Sequence, residues 1–122
     1  NRGTLRVSVL SARNLPKMDV LKATDSYFVL SINNDDENVF QTAMHPANKN
    51  PVINEEFQWS VTDETKYLTV ALMDYDKLTK DDVMGYVYFD VQELRAGQVV
   101  DDWFHVVSSL NKAKKAEVHL VI

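Results

Sequence analysis

The chain contains no cysteine. Disulfides, thiolate-held metals and cysteine nucleophiles are therefore excluded, and a reducing compartment is compatible with that usage. No stretch approaches the roughly 18 unbroken apolar residues of a membrane-spanning helix. Asn1-Arg2-Gly3 runs straight into the alternating residues 4–10, without the anatomy of a signal peptide. There is no initiator methionine, as expected of a piece cut from a longer protein. Positive charge is also scarce: 13 Lys and Arg stand against 18 Asp and Glu, for a net charge of −5. Nucleic acid rewards basic faces and makes a poor partner for such a chain. Anionic lipid would repel it too, unless something reverses the charge locally.

What is present fits one packed domain. Over 122 residues, 45% are hydrophobic and 10% aromatic, enough for a core. The dominant period is two. Leu5, Val7 and Val9 share a face, as do Phe57, Trp59 and Val61, then Leu68, Val70 and Leu72, then Val87, Phe89 and Val91, and finally Val118, Leu120 and Ile122. Residues 27–32 form a dense apolar run, residues 39–44 a weaker strand, and Phe104 with Val106 another. Turn-forming residues separate these segments at 33–38, 46–51, 62–66 and 108–114. Only residues 91–96, closed by Gly97, read as a short helix. About eight short strands with almost no helix predict an all-β, eight-stranded antiparallel sandwich over residues 1–122. Two connections are long for strand loops, residues 11–25 and 74–85, and long loops on a rigid sandwich are where function tends to sit.

Those loops carry Asp19 and Asp25, then Asp74, Asp76 and Asp82. Unpaired carboxylates held close together repel, so a cluster of them calls for a cation or for solvent. Calcium suits such a set, because it takes six to eight oxygens in irregular geometry, whereas magnesium wants a stricter octahedron. Zinc would want the His or Cys that these loops lack. Clustering alone leaves two readings level, a cation site or ordinary polar turns. An EF-hand beginning at Asp74 fails, with Thr79 where glycine belongs and Gly85 where glutamate belongs. A sugar-nucleotide site at Asp74-Tyr75-Asp76 would need a nucleotide-binding α/β domain, which an all-strand chain does not supply.

Four segments together resemble the C2 domain family. Asn14-Leu15-Pro16-Lys17-Met18-Asp19 is similar to the family's "NLPxxD", and Thr24-Asp25-Ser26-Tyr27-Phe28-Val29 to "SDPYV". Asn50-Pro51-Val52-Ile53-Asn54-Glu55 is similar to "NPVWNE", and residues 74–85 to the loop pattern "DxDxxxxxDxxG". Ser26 stands where the family usually has proline, and Ile53 where it has an aromatic. The segment order resembles the circularly permuted, type II arrangement, and residues 15–21 and 68–82 look most like the cytosolic phospholipase group. The resemblance implies that Asp19, Asp25, Asp74, Asp76 and Asp82 hold two or three calcium ions, helped by the backbone carbonyls of Met18 and Tyr75. Thr79 and Asn48 are further candidate ligands, whereas Asp81 is not at a usual ligand position and is expected to be a cap or a solvated neighbour.

The implied function is calcium-dependent phospholipid binding by a peripheral, cytoplasmic and monomeric module that moves to membranes when calcium rises. Five carboxylates carry about −5, and two or three calcium ions would bring the loop end to near neutral or slightly positive. Met18, Val20, Leu21 and Leu78 are expected to insert, with Lys17, Lys22, Lys77 and Lys80 facing headgroups, while Val83 and Met84 pack the loops together. The lysine-rich phosphoinositide patch of many C2 domains has no counterpart, since residues 27–32 and 39–44 hold no lysine. His45, His105 and His119 are scattered, with His119 on the outward face of the last strand, and Trp59 and Trp103 read as packing residues. Nothing resembles a nucleophile elbow, a phosphate cradle or an acid–base pair, so the domain itself is not expected to be an enzyme. Two other functions compete: a calcium-independent protein-interaction module on the same sandwich, and a metal-dependent hydrolase, which would need a reacting pocket.

Overall fold

A computed structural model of the chain describes residues 3–16, 25–77, 80–94, 97–108 and 115–122. Its strands are β1 (Gly3–Arg13), β2 (Ser26–Ile32), β3 (Val39–Gln41), β4 (Val52–Val61), β5 (Tyr67–Asp74), β6 (Asp82–Asp90), β7 (Asp101–His105) and β8 (Glu117–Val121). They form two four-stranded sheets, β4-β1-β8-β7 and β3-β2-β5-β6, with every pairing antiparallel. The eight-stranded sandwich read from the alternation is the fold. β8 lies between β1 and β7, the permuted order that the resemblance implied.

The core lies between the sheets, and the period-two residues fill it. Leu5, Val7 and Val9 of β1 meet Phe28 and Leu30 of β2 and Leu68, Val70 and Leu72 of β5 in one buried cluster. Each such side chain contributes roughly 1.5–3 kcal/mol when fully buried. Two register slips break the alternation, and both lie at the end of the sandwich that carries the acidic loops. One falls between Val9 and Ser11 against both β4 and β8, so that Ala12 rather than Ser11 enters the core. The other falls where Leu72 faces Gly85 while Met73 faces Val83, which turns Met84 inward and leaves it 1% exposed. Slips of this kind bend a strand and re-aim its side chains beside functional sites.

Gly85 has a packing reason to be glycine. A Cβ there would lie 2.5 Å from Val106 Cγ1 and 2.7 Å from the Val107 carbonyl oxygen. Tyr86 N donates to Val107 O at 3.0 Å and Val107 N to Tyr86 O at 2.9 Å, so the 106–108 segment is pinned against β6 and cannot yield. Gly85→Ala should therefore cost about 1–3 kcal/mol through overpacking, lowering the thermal midpoint by several degrees. An unchanged midpoint in thermal unfolding would mean that this close approach does not exist.

Two local expectations differ from the structure. The strand expected over residues 39–44 stops at Gln41, because Thr42 diverts the ladder: its hydroxyl accepts from Phe28 N at 2.9 Å. The helix expected over residues 91–96 is a single 3-10 turn, Val91–Glu93. The Asp90 side chain caps Gln92 N, and Leu94 returns to extended backbone to pack its side chain on the core.

Candidate metal and membrane site

Antiparallel pairing puts residues 14–16 and 25, residues 42–51, and residues 75–77 with 80–81 at one end of the sandwich. Backbone hydrogen bonds sew the described parts of these loops together. Asn14, in the left-handed region at φ 58°, follows β1, and its N–H donates to Asn50 Oδ1 at 3.0 Å. Leu15 N donates to Lys49 O and Ala12 N to Pro51 O, each at 3.0 Å. The Asn14-Leu15-Pro16 and Asn50-Pro51 segments are thus two halves of one structural joint. Asn54 takes φ 52° inside β4, a conformation asparagine tolerates better than most residues. Glu55 Oε2 accepts from Ala43 N at 2.8 Å. Asn48 Oδ1 accepts from Asn50 N at 2.9 Å, so the oxygen expected to help a metal also holds its own turn.

Asp25 ties the loops to one another. Its carbonyl accepts from Tyr75 N at 2.8 Å, and its Oδ1 accepts from Ala47 N at 2.7 Å. The next residue, Ser26, exchanges backbone hydrogen bonds with His45 and pairs across to Asp74, which in turn pairs with Asp82. One row therefore runs Ser26–Asp74–Asp82 across three strands, with Asp25 and Asp76 a step beyond it. The electrostatics agree with this neighbourhood. Burial, and then the charges of Asp82, Asp25, Asp76 and Asp81, push the Asp74 carboxyl from 3.8 up to about 6. Four of the five acids expected to act together are thus brought into one repulsive field, and Asp19 lies outside the described residues.

The donor set is all oxygen and negatively charged, which fits a hard divalent cation such as calcium. Among the described residues, no three acidic or imidazole side chains are drawn close enough to hold an ion by themselves. Met18, Val20, Leu21, Leu78, Thr79, Lys17 and Lys22 lie outside the described residues. Lys77 and Lys80 are exposed, and Tyr75 is 37% exposed. Met84 packs inward as expected, but Val83 does not. It is 43% exposed, because the register slip beside it sends the neighbouring methionine into the core.

A family model for the C2 domain matches residues 3–106. The chain belongs to the C2 domain family. This C2 domain is 32% identical over 117 residues to Synaptotagmin-1 of Aplysia californica, covering 93% of this chain and 27% of that protein. Its fold superposes on human GIVD cytosolic phospholipase A2 with a TM-score of 0.83 at 28% identity, covering 97% of this chain and 15% of that one. It superposes on a calcium-bound structure of Extended-Synaptotagmin 2 with a TM-score of 0.82 at 26% identity, covering 98% of this chain and 44% of that one. The chain thus spans about a quarter of the first relative's length. A domain of this family is a binding module rather than a catalytic one. A groove of about 910 Å³ opens at the other end of the sandwich, lined by residues such as Leu5, Val61, Val91 and Ile122, away from the acids.

Sequence reading passed over Tyr27 and expected Asp81 to be a cap or a solvated neighbour. Asp81 is a cap, and Tyr27 joins it. Asp81 Oδ1 accepts from Asp76 N at 2.9 Å, and its Oδ2 accepts from the Tyr27 hydroxyl. Burial, followed by the hydrogen bond to Asp81, pushes the Tyr27 phenol up to about 12. A tyrosine on the outer face of β2 carries no signal in sequence that its hydroxyl meets a loop more than fifty residues away. On the other sheet, the Arg13 guanidinium lies 3.8 Å from the Trp103 ring centroid, and Trp103 stacks on His119. His119 Nε2 meets Asp101 Oδ1 at 2.5 Å, the structural role expected of an outward-facing histidine.

Proposed function

We propose that this domain binds phospholipid membranes in response to calcium, through the loop end that carries Asp19, Asp25, Asp74, Asp76 and Asp82. The observation that carries the reading is the set of four described acids around Asp74, whose carboxyl is lifted to about 6 by burial first and then by the charges of Asp82, Asp25, Asp76 and Asp81. Such a crowd costs stability unless a cation offsets it. The calcium-bound Extended-Synaptotagmin 2 relative supports calcium as that cation. Asp25, Asp74, Asp76 and Asp82, with Asp19 and the carbonyls of Met18 and Tyr75, would hold two or three ions, and Thr79 and Asn48 could add oxygens.

Bound calcium supplies positive charge and open positions for phosphate oxygens. The chain's own residues do the rest. The hydrogen bonds from Tyr75 to Asp25 and from Ala47 to the Asp25 carboxylate hold the described loop segments in register, so that loading draws acidic side chains together on a backbone already joined. Met18, Val20, Leu21 and Leu78 enter the lipid, each contributing less than the roughly 1.5–3 kcal/mol of full burial. Lys17, Lys22, Lys77 and Lys80 meet headgroups, at about 1 kcal/mol each near an anionic surface. The module is then a monomeric peripheral protein that moves from cytoplasm to membrane.

Sedimentation with phosphatidylserine–phosphatidylcholine vesicles tests this directly. The domain should pellet with calcium and stay in the supernatant with a chelator. Equal pelleting in both would favour the alternative, a calcium-independent interaction module using another face of the sandwich.

A further inference from the structure

We propose that Tyr27 and Asp81 form a clasp that positions the acidic loop between β5 and β6 for its cation, with Asp81 serving as a positioning residue and not as a ligand. The inference rests on the calcium reading above. The Asp81 carboxylate sits at the far end of residues 75–81 and reaches back to the beginning of the same loop, accepting from Asp76 N at 2.9 Å. Its second oxygen accepts from the Tyr27 hydroxyl. One carboxylate therefore closes the loop on itself and anchors it to the neighbouring strand.

Tyr27 is buried and fixed in β2, where it pairs across to Met73, so the anchor point is rigid. The atom that the clasp holds is the backbone nitrogen of Asp76, which joins the second of the two acids Asp74 and Asp76 to Tyr75. Holding that nitrogen sets the direction in which the Asp76 side chain leaves the backbone. It also sets the chain direction after Tyr75, whose own N–H is held by Asp25 O at 2.8 Å. Two successive backbone N–H groups are thus bound, one by each flanking element. A preorganised loop loses less freedom when an ion orders it, and that saving appears as affinity.

Calorimetric titration with calcium chloride tests the clasp in the parent domain, Tyr27→Phe, Asp81→Asn and the double variant. Tyr27→Phe removes only a hydroxyl and keeps the ring in place. It should weaken calcium binding about tenfold, the scale of one hydrogen bond to a charged group, with the number of ions unchanged. Asp81→Asn should behave alike, and the double variant should be little worse than either, because both remove one device. Amide exchange at Asp76 should quicken in each variant. Three results would overturn the proposal. Calcium affinity within twofold of the parent in Tyr27→Phe would show that the clasp does not position the loop. Loss of an ion from the stoichiometry in Asp81→Asn would make Asp81 a ligand. A parent domain that takes up no calcium would remove the site itself, and so is distinguishable from failure of the clasp alone.

Discussion

Replacing Asp74 and Asp76 together with asparagine should abolish most calcium binding while making the calcium-free domain more stable. Both effects come from the same charges. Asp74 is the last residue of β5, paired with Ser26 on one side and Asp82 on the other, and its carboxyl is pushed up to about 6 by burial and by four neighbouring acids. Its ionised form is thus disfavoured in the folded state at neutral pH. Asparagine keeps the shape and removes the charge. After discounting for the solvent that still screens this partly exposed group, the gain is about 1 kcal/mol. For a domain of this size that is a rise of about 3–6 °C in melting temperature. Calcium affinity should fall by about 100-fold or more, since changing even the outer partners of metal ligands costs 10–100-fold. Calorimetry and thermal unfolding on the double variant measure the two halves separately. A variant that bound calcium like the parent would dismiss these residues as ligands, and one that melted lower without calcium would show that the acids do not repel. Stability given up for a binding site is a common trade in natural domains.

The sandwich could be read from alternation because each core-facing series, such as Leu5, Val7 and Val9 or Leu68, Val70 and Leu72, occupies a buried face. The acidic end was legible for a different reason. The segments around Asn14, Asp25, Asn50 and Asp74 keep their order and spacing. The structure supplies the physical cause for part of that pattern, since Asn14 and Leu15 bond directly to Asn50 and Lys49, and Gly85 is required by the passage of Val106 and Val107. What could not be read depends on contacts between distant residues. The slip at Val83 and Met84 exchanges which of the two is buried, and period-two counting has no means to place it. The Tyr27 hydroxyl on Asp81 joins two segments that sequence treats separately. The end of β3 at Gln41 turns on the Thr42 hydroxyl competing for one N–H, a choice made by side-chain geometry rather than by propensity.

Calcium should stabilise this domain strongly at pH 7.5 and only weakly at pH 5. The folded-state carboxyl of Asp74 titrates near 6, above its ordinary value of 3.8. Folding therefore favours the protonated form. The stability that this group contributes is fully present below about pH 3.8 and is lost as pH rises through about 6. Without calcium, the domain should weaken across that interval. Calcium binds the ionised carboxylates and must displace the proton where one is present, so its benefit grows over the same interval. At a free concentration about 100 times the dissociation constant, binding adds about 2.7 kcal/mol, or about 10 °C in melting temperature for a domain of this size. At pH 5, where Asp74 is largely protonated, the same calcium concentration should raise the midpoint by only a few degrees. Scanning calorimetry with calcium and with a chelator at both pH values reads this difference. Other groups that titrate in the range cancel when the scans are repeated on Asp74→Asn, in which the pH dependence of the calcium-free midpoint should flatten between pH 4 and 7. A calcium shift equal at the two pH values, or larger at pH 5, would mean that protons and calcium do not compete for the same carboxylates and that the cation does not bind at this end of the sandwich.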